Sequence, residues 1–351
     1  MRRVYLGALA TVLIVTLGVA AAGLRADGIN GNNESKHNGS KHKGSKHKPR
    51  TRSFEFSYEA TILEVRGKTL DVWLPYPKSD EWQRIELVSI ASPWKGRVYE
   101  EPIYRNRIYH VRAEDPGPGP HTIKMTFRVD RKEKIRKDFA GRGGLQLGPD
   151  ARKAVGRFLQ SNRLVPISGS RLDAILPGIA PKERNEIKVG RAIYDYVMDS
   201  MRYAKEGSGW GKGSTAWACD ARYGNCTDFH ALFISLARAK GIPARFVIGF
   251  PLPTRRGEGK IGSYHCWADF YVTGYGWVPV DISEAEKQPK LAEYYFGAHS
   301  EDRVEFTQGR DLVLAPPQKG PPLNYFVYPY AEVDGSPHGA VQKSFTFEDL
   351  P

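Results

Sequence analysis

The sequence predicts an α+β protein, with an antiparallel β-sandwich-like part first and helices with a further sheet after it. Three observations carry this. From Phe54 to Val129, short runs alternate apolar and polar residues and are separated by Pro, Gly and Asp clusters. From residue 149 to 201 the apolar spacing changes to a helical period. Between Arg222 and Ala285 a sharply bounded helix leads into a strand and then a hairpin pattern. Strands that precede helices, rather than alternating with them, point to α+β.

The size and composition fit that reading. The chain has 351 residues, 40% of them apolar and 26% charged, enough to bury a core. Only 3 are cysteines, too few for a disulfide-dense scaffold. The formal charge is +13, but it is uneven. Residues 1–52 hold ten Lys/Arg against two Asp/Glu, leaving 42 against 37 in the rest. A folded body so mildly basic gives little reason for a nucleic-acid partner.

Arg2 and Arg3 precede an uncharged run from Val4 to Leu24, which reads as an export leader over residues 1–26. Ala20, Ala21 and Ala22 offer a small-residue cleavage site, while a 21-residue run also reaches the length of a membrane anchor. Both readings place the body outside the cytoplasm, in the periplasm or beyond, and the second makes the leader a membrane tether. Residues 27–52 repeat Ser-Lys-His at 35, 40 and 45 and hold too little apolar surface to offset ordering. They read as a flexible linker. The lysine beside each of His37, His42 and His47 disfavours a bound cation.

The runs starting at Phe54, Thr69, Arg84, Ile108 and His121 are the strands of a β domain over 53–140. His110 and His121 are expected on its strand surfaces. A helical connector covers 141–185, with a helix opening at Pro149, and a second helix spans Pro181 to Met201. Residues 186–351 form the remaining domain. The Gly-rich stretch Gly207–Gly213 is a loop, either a plain connector or a wall or lid beside a reactive group.

Chemistry concentrates in two segments. In the first, Gly224 turns the chain, Asn225 caps a helix, and Asp228 completes a capping-box pattern. Phe229, Leu232, Phe233, Leu236 and Ala237 form an apolar stripe, and Gly241 and Pro243 end the helix. Cys226 lies in the first turn, where free N–H groups and the helix dipole favour thiolate, and its amide can serve an oxyanion. In the second segment, Ser263 to Ala285 reads as a hairpin around Thr273–Gly276. Pairing Cys266 with Val280 and Ala268 with Val278 sets His265 opposite Asp281. Cross-strand Cβ atoms lie about 4.5–5.5 Å apart, within reach of a carboxylate–imidazole hydrogen bond. Pro279 demands an edge strand or a bulge. A thiolate, an imidazole and an orienting carboxylate constitute a nucleophile–base set for attack on amide carbonyls.

Gly-x-Cys at a helix start, Gly-Ile-Pro-Ala-Arg at 241–245, His-x-Trp-Ala at 265–268 and Gly-Trp-x-x-x-Asp at 276–281 together resemble the transglutaminase-like superfamily of papain-type thiol enzymes. The resemblance covers about Ile187 to Ala285 and is closest to a microbial branch of cysteine peptidases. It implies a papain-type core, in which the cysteine helix packs on an antiparallel sheet, with Cys226, His265 and Asp281 as its triad. It also implies a tryptophan supporting the oxyanion, for which Trp210 and Trp217 are candidates. Animal members carry calcium sites and trailing sandwich domains. No acidic cluster here resembles those sites, so neither a metal nor a cofactor is expected.

Of the neighbouring residues, Asp228 is expected as a cap and His230 as non-catalytic. Cys266 has the core parity of its strand and reads as a buried structural thiol. Cys219, in an expected loop, would pair with Cys266 or form an inhibitory bond with Cys226. Strands at Arg303, Leu312 and Asn324 would extend the sheet, and Tyr294, Tyr295, Tyr328 and Tyr330 would pack in the core. The expected function is an exported thiol enzyme acting on protein or peptide amides, with hydrolysis favoured. Its rivals are a glutamine acyltransferase, a non-catalytic envelope binding module, and a basic surface protein that holds anionic polymers through its tether.

Overall fold

Alternation builds the first strand. In β1 (Thr51–Ile62), Phe54, Phe56, Tyr58, Ala60 and Ile62 are all fully buried, while the residues between them are only partly covered. The computed structural model describes residues 48–144 and 146–351. The leader, the Ser-Lys-His repeats and their histidines lie outside the described residues. Thr51 and Arg52, expected in the linker, instead open β1. Arg52 is buried, and its guanidinium bonds Asp302 and Asp349, each at 2.7 Å. Two carboxylate partners offset the burial of its charge.

The strands β2 (Thr69–Tyr76), β3 (Gln83–Ala91), β4 (Gly96–Glu100), β5 (Arg107–Glu114) and β6 (His121–Lys132) follow. After β7 (Lys134–Ile135) come α1 (Pro149–Val155), α2 (Ser170–Ile175) and α3 (Glu186–Ser200), the last capped by the Asn185 side chain. The short β8 (Arg202–Tyr203), α4 (Thr215–Ala221) and β9 (Tyr223–Gly224) lead to α5 (Cys226–Ala239). Next are β10 (Ala244–Pro251), β11 (Glu258–Lys260), β12 (His265–Val272) and β13 (Gly276–Val280). The chain ends with α6 (Ile282–Lys287), α7 (Ala292–Tyr295), β14 (Ala298–His299), β15 (Arg303–Gln308), β16 (Tyr330–Val333), β17 (Ser336–Pro337) and β18 (Val341–Asp349).

Among the described residues the three larger sheets are antiparallel, with orders β11-β18-β1-β6-β3, β17-β16-β2-β5-β4 and β13-β12-β10-β15, beside the two-stranded pairs β14-β7 and β8-β9. The fold is α+β with a transglutaminase-like core, in which α5 packs on β12 and β10. The tail departs from expectation. Only β15 extends the sheet that carries His265. The segments at Leu312 and Asn324 form no strand, apart from an isolated Leu312–Leu323 bridge. The last strand returns to pair with β1, Phe56 opposite Phe347. Packing is continuous across this return, since the Phe56 ring lies 5.2 Å from Phe250 of β10 and 5.3 Å from Phe306 of β15.

His110 also departs from expectation. It is buried, with Nε2 2.9 Å from Asp71 Oδ1 on the neighbouring strand. Alternation alone did not reveal that a carboxylate would receive it. Among the described residues, no helix is long and apolar enough to cross a membrane.

Candidate active site

The position of Cys226 is built from α5. The Asn225 side chain accepts from the Thr227 N–H at 2.9 Å, and Asp228 Oδ2 accepts from the Asn225 N–H at 3.1 Å. Asp228 also accepts from the Gly211 and Gly213 amides at 2.7 and 2.9 Å, so it pins the Gly-rich loop against the first turn of α5. That loop is therefore held against the helix. Gly224 is required here, because a Cβ on it would stand 2.4 Å from Asp228 Oδ2. Asn225 O accepts from the Asp228 and Phe229 amides, which leaves the Cys226 N–H as the first-turn donor open to a substrate oxygen.

The hairpin presents the other two groups in a different register from the expected one. Ala268 faces Val280 and Phe270 faces Val278, a slip of two residues. The turn centres on Gly274, which takes φ +73°, rather than on Thr273, whose side chain would disfavour that conformation. A shift of two preserves side-chain parity, so His265 and Asp281 keep a common face. Asp281 lies just past β13 and caps α6. His265 Nε2 is 2.7 Å from Asp281 Oδ2, although the two residues are not ladder partners. Pro279 is accommodated because β13 is an edge strand.

Asp281 is buried and fully engaged. Oδ2 also accepts from Arg303 Nη1 at 3.0 Å, and Oδ1 accepts from Ser283 Oγ and Glu284 N–H, each at 3.2 Å. Burial raises its pKa, but the charge and hydrogen bond of His265, followed by Arg303, hold it well below the usual carboxylate range. Burial likewise lowers the His265 pKa. Asp281, with help from Cys226, outweighs this and pushes it up to about 10. Because Nε2 is committed to Asp281, Nδ1 is the nitrogen left for the sulfur.

Cys226 is 3% exposed. The hydrogen bond from the Cys266 thiol is the largest influence holding its pKa well below the thiol range; burial opposes it, and the hydrogen bond and charge of His265 add to it. Cys266 responds in the opposite direction: burial, then the Cys226 sulfur, push its pKa well up, so it remains a thiol donor. Cys266 is thus buried, as its parity suggested, but it also bonds the Cys226 sulfur. The charge of Cys226 also reaches Tyr203, Tyr264 and Tyr325. Burial first, and the Cys226 charge after it, raise the pKa of each.

The remaining expected residues sit differently. All three cysteines are free, so no Cys219–Cys266 or Cys219–Cys226 disulfide forms. Cys219 lies within α4, not in a loop. Trp210 Nε1 donates to Gly207 O at 3.1 Å and Trp217 Nε1 to Tyr223 O at 2.9 Å. Both indoles are therefore occupied. Among the described residues, no group of three or more His, Cys, Asp and Glu is placed to hold a metal ion. Sequence reasoning missed Cys266 as a sulfur partner, Arg303 as the clamp on Asp281, and Tyr264. Strand parity held a signal for Tyr264, which shares the face of Cys266; the other two required the tertiary fold.

The fold defines a class, an α+β protein with a transglutaminase-like core, and comparison agrees on the fold. Residues 173–282 match the model of the transglutaminase-like superfamily. An uncharacterized protein of Haemophilus influenzae is 26% identical over 328 residues, covering 81% of this chain and 86% of that one. A crystal structure named "Putative Cysteine Protease", from Cytophaga hutchinsonii, superposes with a TM-score of 0.57 at 18% identity, over 86% of this chain and 93% of that one. That likeness concerns the fold. The periplasmic domain of TgpA from Pseudomonas aeruginosa is more distant, with a TM-score of 0.38 at 16% identity over 68% of this chain and 93% of that one, and supports no argument.

Proposed function

We propose that the protein is an exported thiol enzyme that hydrolyses amide bonds in proteins or peptides. The observation that carries this reading is the 2.7 Å His265–Asp281 contact beside a helix-terminal Cys226 whose acidity is raised. The Cys226 thiolate attacks the amide carbonyl, and the oxygen that becomes negative is held by the Cys226 N–H. The His265 imidazolium gives its proton to the departing amine as the C–N bond breaks, leaving a thioester and a neutral imidazole. A water then attacks the thioester, His265 takes its proton, and the acid departs as the thiolate reforms. Asp281 keeps the imidazole oriented and stabilises its charged form.

Water is the default acyl acceptor unless a site excludes it, which favours hydrolysis over amine transfer. Export rests on the leader at 1–26. Peptide libraries offered with and without a labelled primary amine separate the two outcomes. Release of free acid, lost in Cys226→Ala with the fold intact, supports hydrolysis. Stoichiometric incorporation of the amine would replace it with acyl transfer, and no turnover of either kind would leave a binding module.

A further inference from the structure

His230 lies one turn after Cys226 on α5 and is fully buried. Its ring bonds two different elements. Nδ1 is 2.7 Å from the Cys226 carbonyl oxygen, and the Ile282 N–H donates to Nε2 at 3.1 Å. A ring nitrogen that accepts from an amide carries no proton, so the imidazole is neutral and its proton sits on Nδ1, donating to Cys226. Burial, which lowers its pKa, agrees with this. Ile282 directly follows Asp281 and opens α6. The ring therefore spans from the backbone of the sulfur-bearing residue to the backbone beside the orienting carboxylate. Cys266 Sγ lies 3.9 Å from Nδ1, and Asp281 Oδ1 lies 3.9 Å from Nε2.

We infer that His230 is a positioning residue that sets the spacing between Cys226 and Asp281, and so the alignment of His265 between them. It acts as a neutral strut and takes no part in proton transfer. The inference rests on the reading of Cys226 as the nucleophile. The titratable groups that face the ring are Cys226 on its own helix, Cys266 and His265 from β12, and Asp281 ahead of α6. Behind these, Glu284 of α6 lies 3.9 Å from His265 and Arg303 of β15 lies 3.0 Å from Asp281. Small displacements between reacting groups carry large rate costs, which gives such a strut its leverage.

The test is the pH profile of Cys226 carboxymethylation by iodoacetate in the full chain, read by mass at the Cys226 peptide so that Cys219 does not interfere. Iodoacetate is an anion and is drawn by the His265 imidazolium. The rate should therefore rise as the thiolate forms and fall as His265 loses its proton near pH 10. His230→Asn can still donate to Cys226 O but loses the acceptor for Ile282 N–H; His230→Gln does the reverse; His230→Phe keeps the bulk and loses both. Loosened pairing should narrow the reactive window by about one pH unit in the Asn and Gln variants, and by more in Phe. Melting temperature is followed separately, because a role in packing alone would lower it and leave both limbs in place. Folded variants with wild-type limbs overturn the inference, as does failure of all three to fold, which would assign the ring to folding. An ordinary thiol profile in the wild type would contradict the reading of Cys226 itself, and it would be seen before any variant is made.

Discussion

At Cys226 two effects compete. Burial favours the neutral thiol, while the Cys266 donor, the His265 charge and the helix terminus favour the anion. The donors win, and this yields a prediction for a residue outside the expected triad. Cys266→Ala removes the largest of these influences, so the acid limb of Cys226 alkylation should move to higher pH; an unmoved limb would assign Cys266 to packing. Asp281→Asn should lower turnover by roughly 10³–10⁴-fold, because the imidazole loses the group that fixes its tautomer. Nuclear magnetic resonance of the His265 ring should then show its pKa falling from about 10 towards the ordinary imidazole range. The placement of Cys226, His265 and Asp281 was legible because each sits at an element boundary that the sequence marks. Cys266 as a partner, Arg303 and His230 were not, because their importance lies in which side chain faces them across the fold.

At the scale of elements, the cap of α5 was readable as a local pattern. The Asn225–Asp228 capping box forms, and it also ties down the Gly-rich loop. Asn225→Ala should cost about 1 kcal/mol, seen as a lowered midpoint in chemical denaturation. The hairpin was readable in kind but not in register. Four turn residues, Thr273 to Gly276, allow more than one centre, and apolar alternation is unchanged by a slip of two. Both faces of β12 proved buried, so the face of Trp267 and Asp269, which looked polar, packs against charged partners rather than water. The extent of α4 was missed because its seven residues carry little helical period of their own.

Across the whole molecule, the course of the tail was not legible. Short strands declare that they will pair but not with which neighbour, and β18 pairs with β1 about three hundred residues earlier in the chain. A second long-range link is the buried ion cluster in which Asp269 Oδ2 meets Lys134 Nζ at 3.1 Å and Arg245 Nη2 at 2.6 Å. Burial raises the Asp269 pKa, but Lys134 and Arg245 hold it below its usual value. This contribution is therefore complete above the ordinary carboxylate range and fades as pH falls through the lowered folded-state value. Asp269→Ala should cost about 3–5 kcal/mol in denaturant titrations at neutral pH, because it leaves Lys134 buried without its carboxylate.

The activated sulfur is tested most directly by the thiolate ultraviolet absorbance that distinguishes wild type from Cys226→Ser, followed as a function of pH. The arrangement around Cys226 predicts that this difference is already full at neutral pH and persists well into the acid range. A difference that emerges only as the pH rises through the free-thiol value, near 8.5, would contradict it.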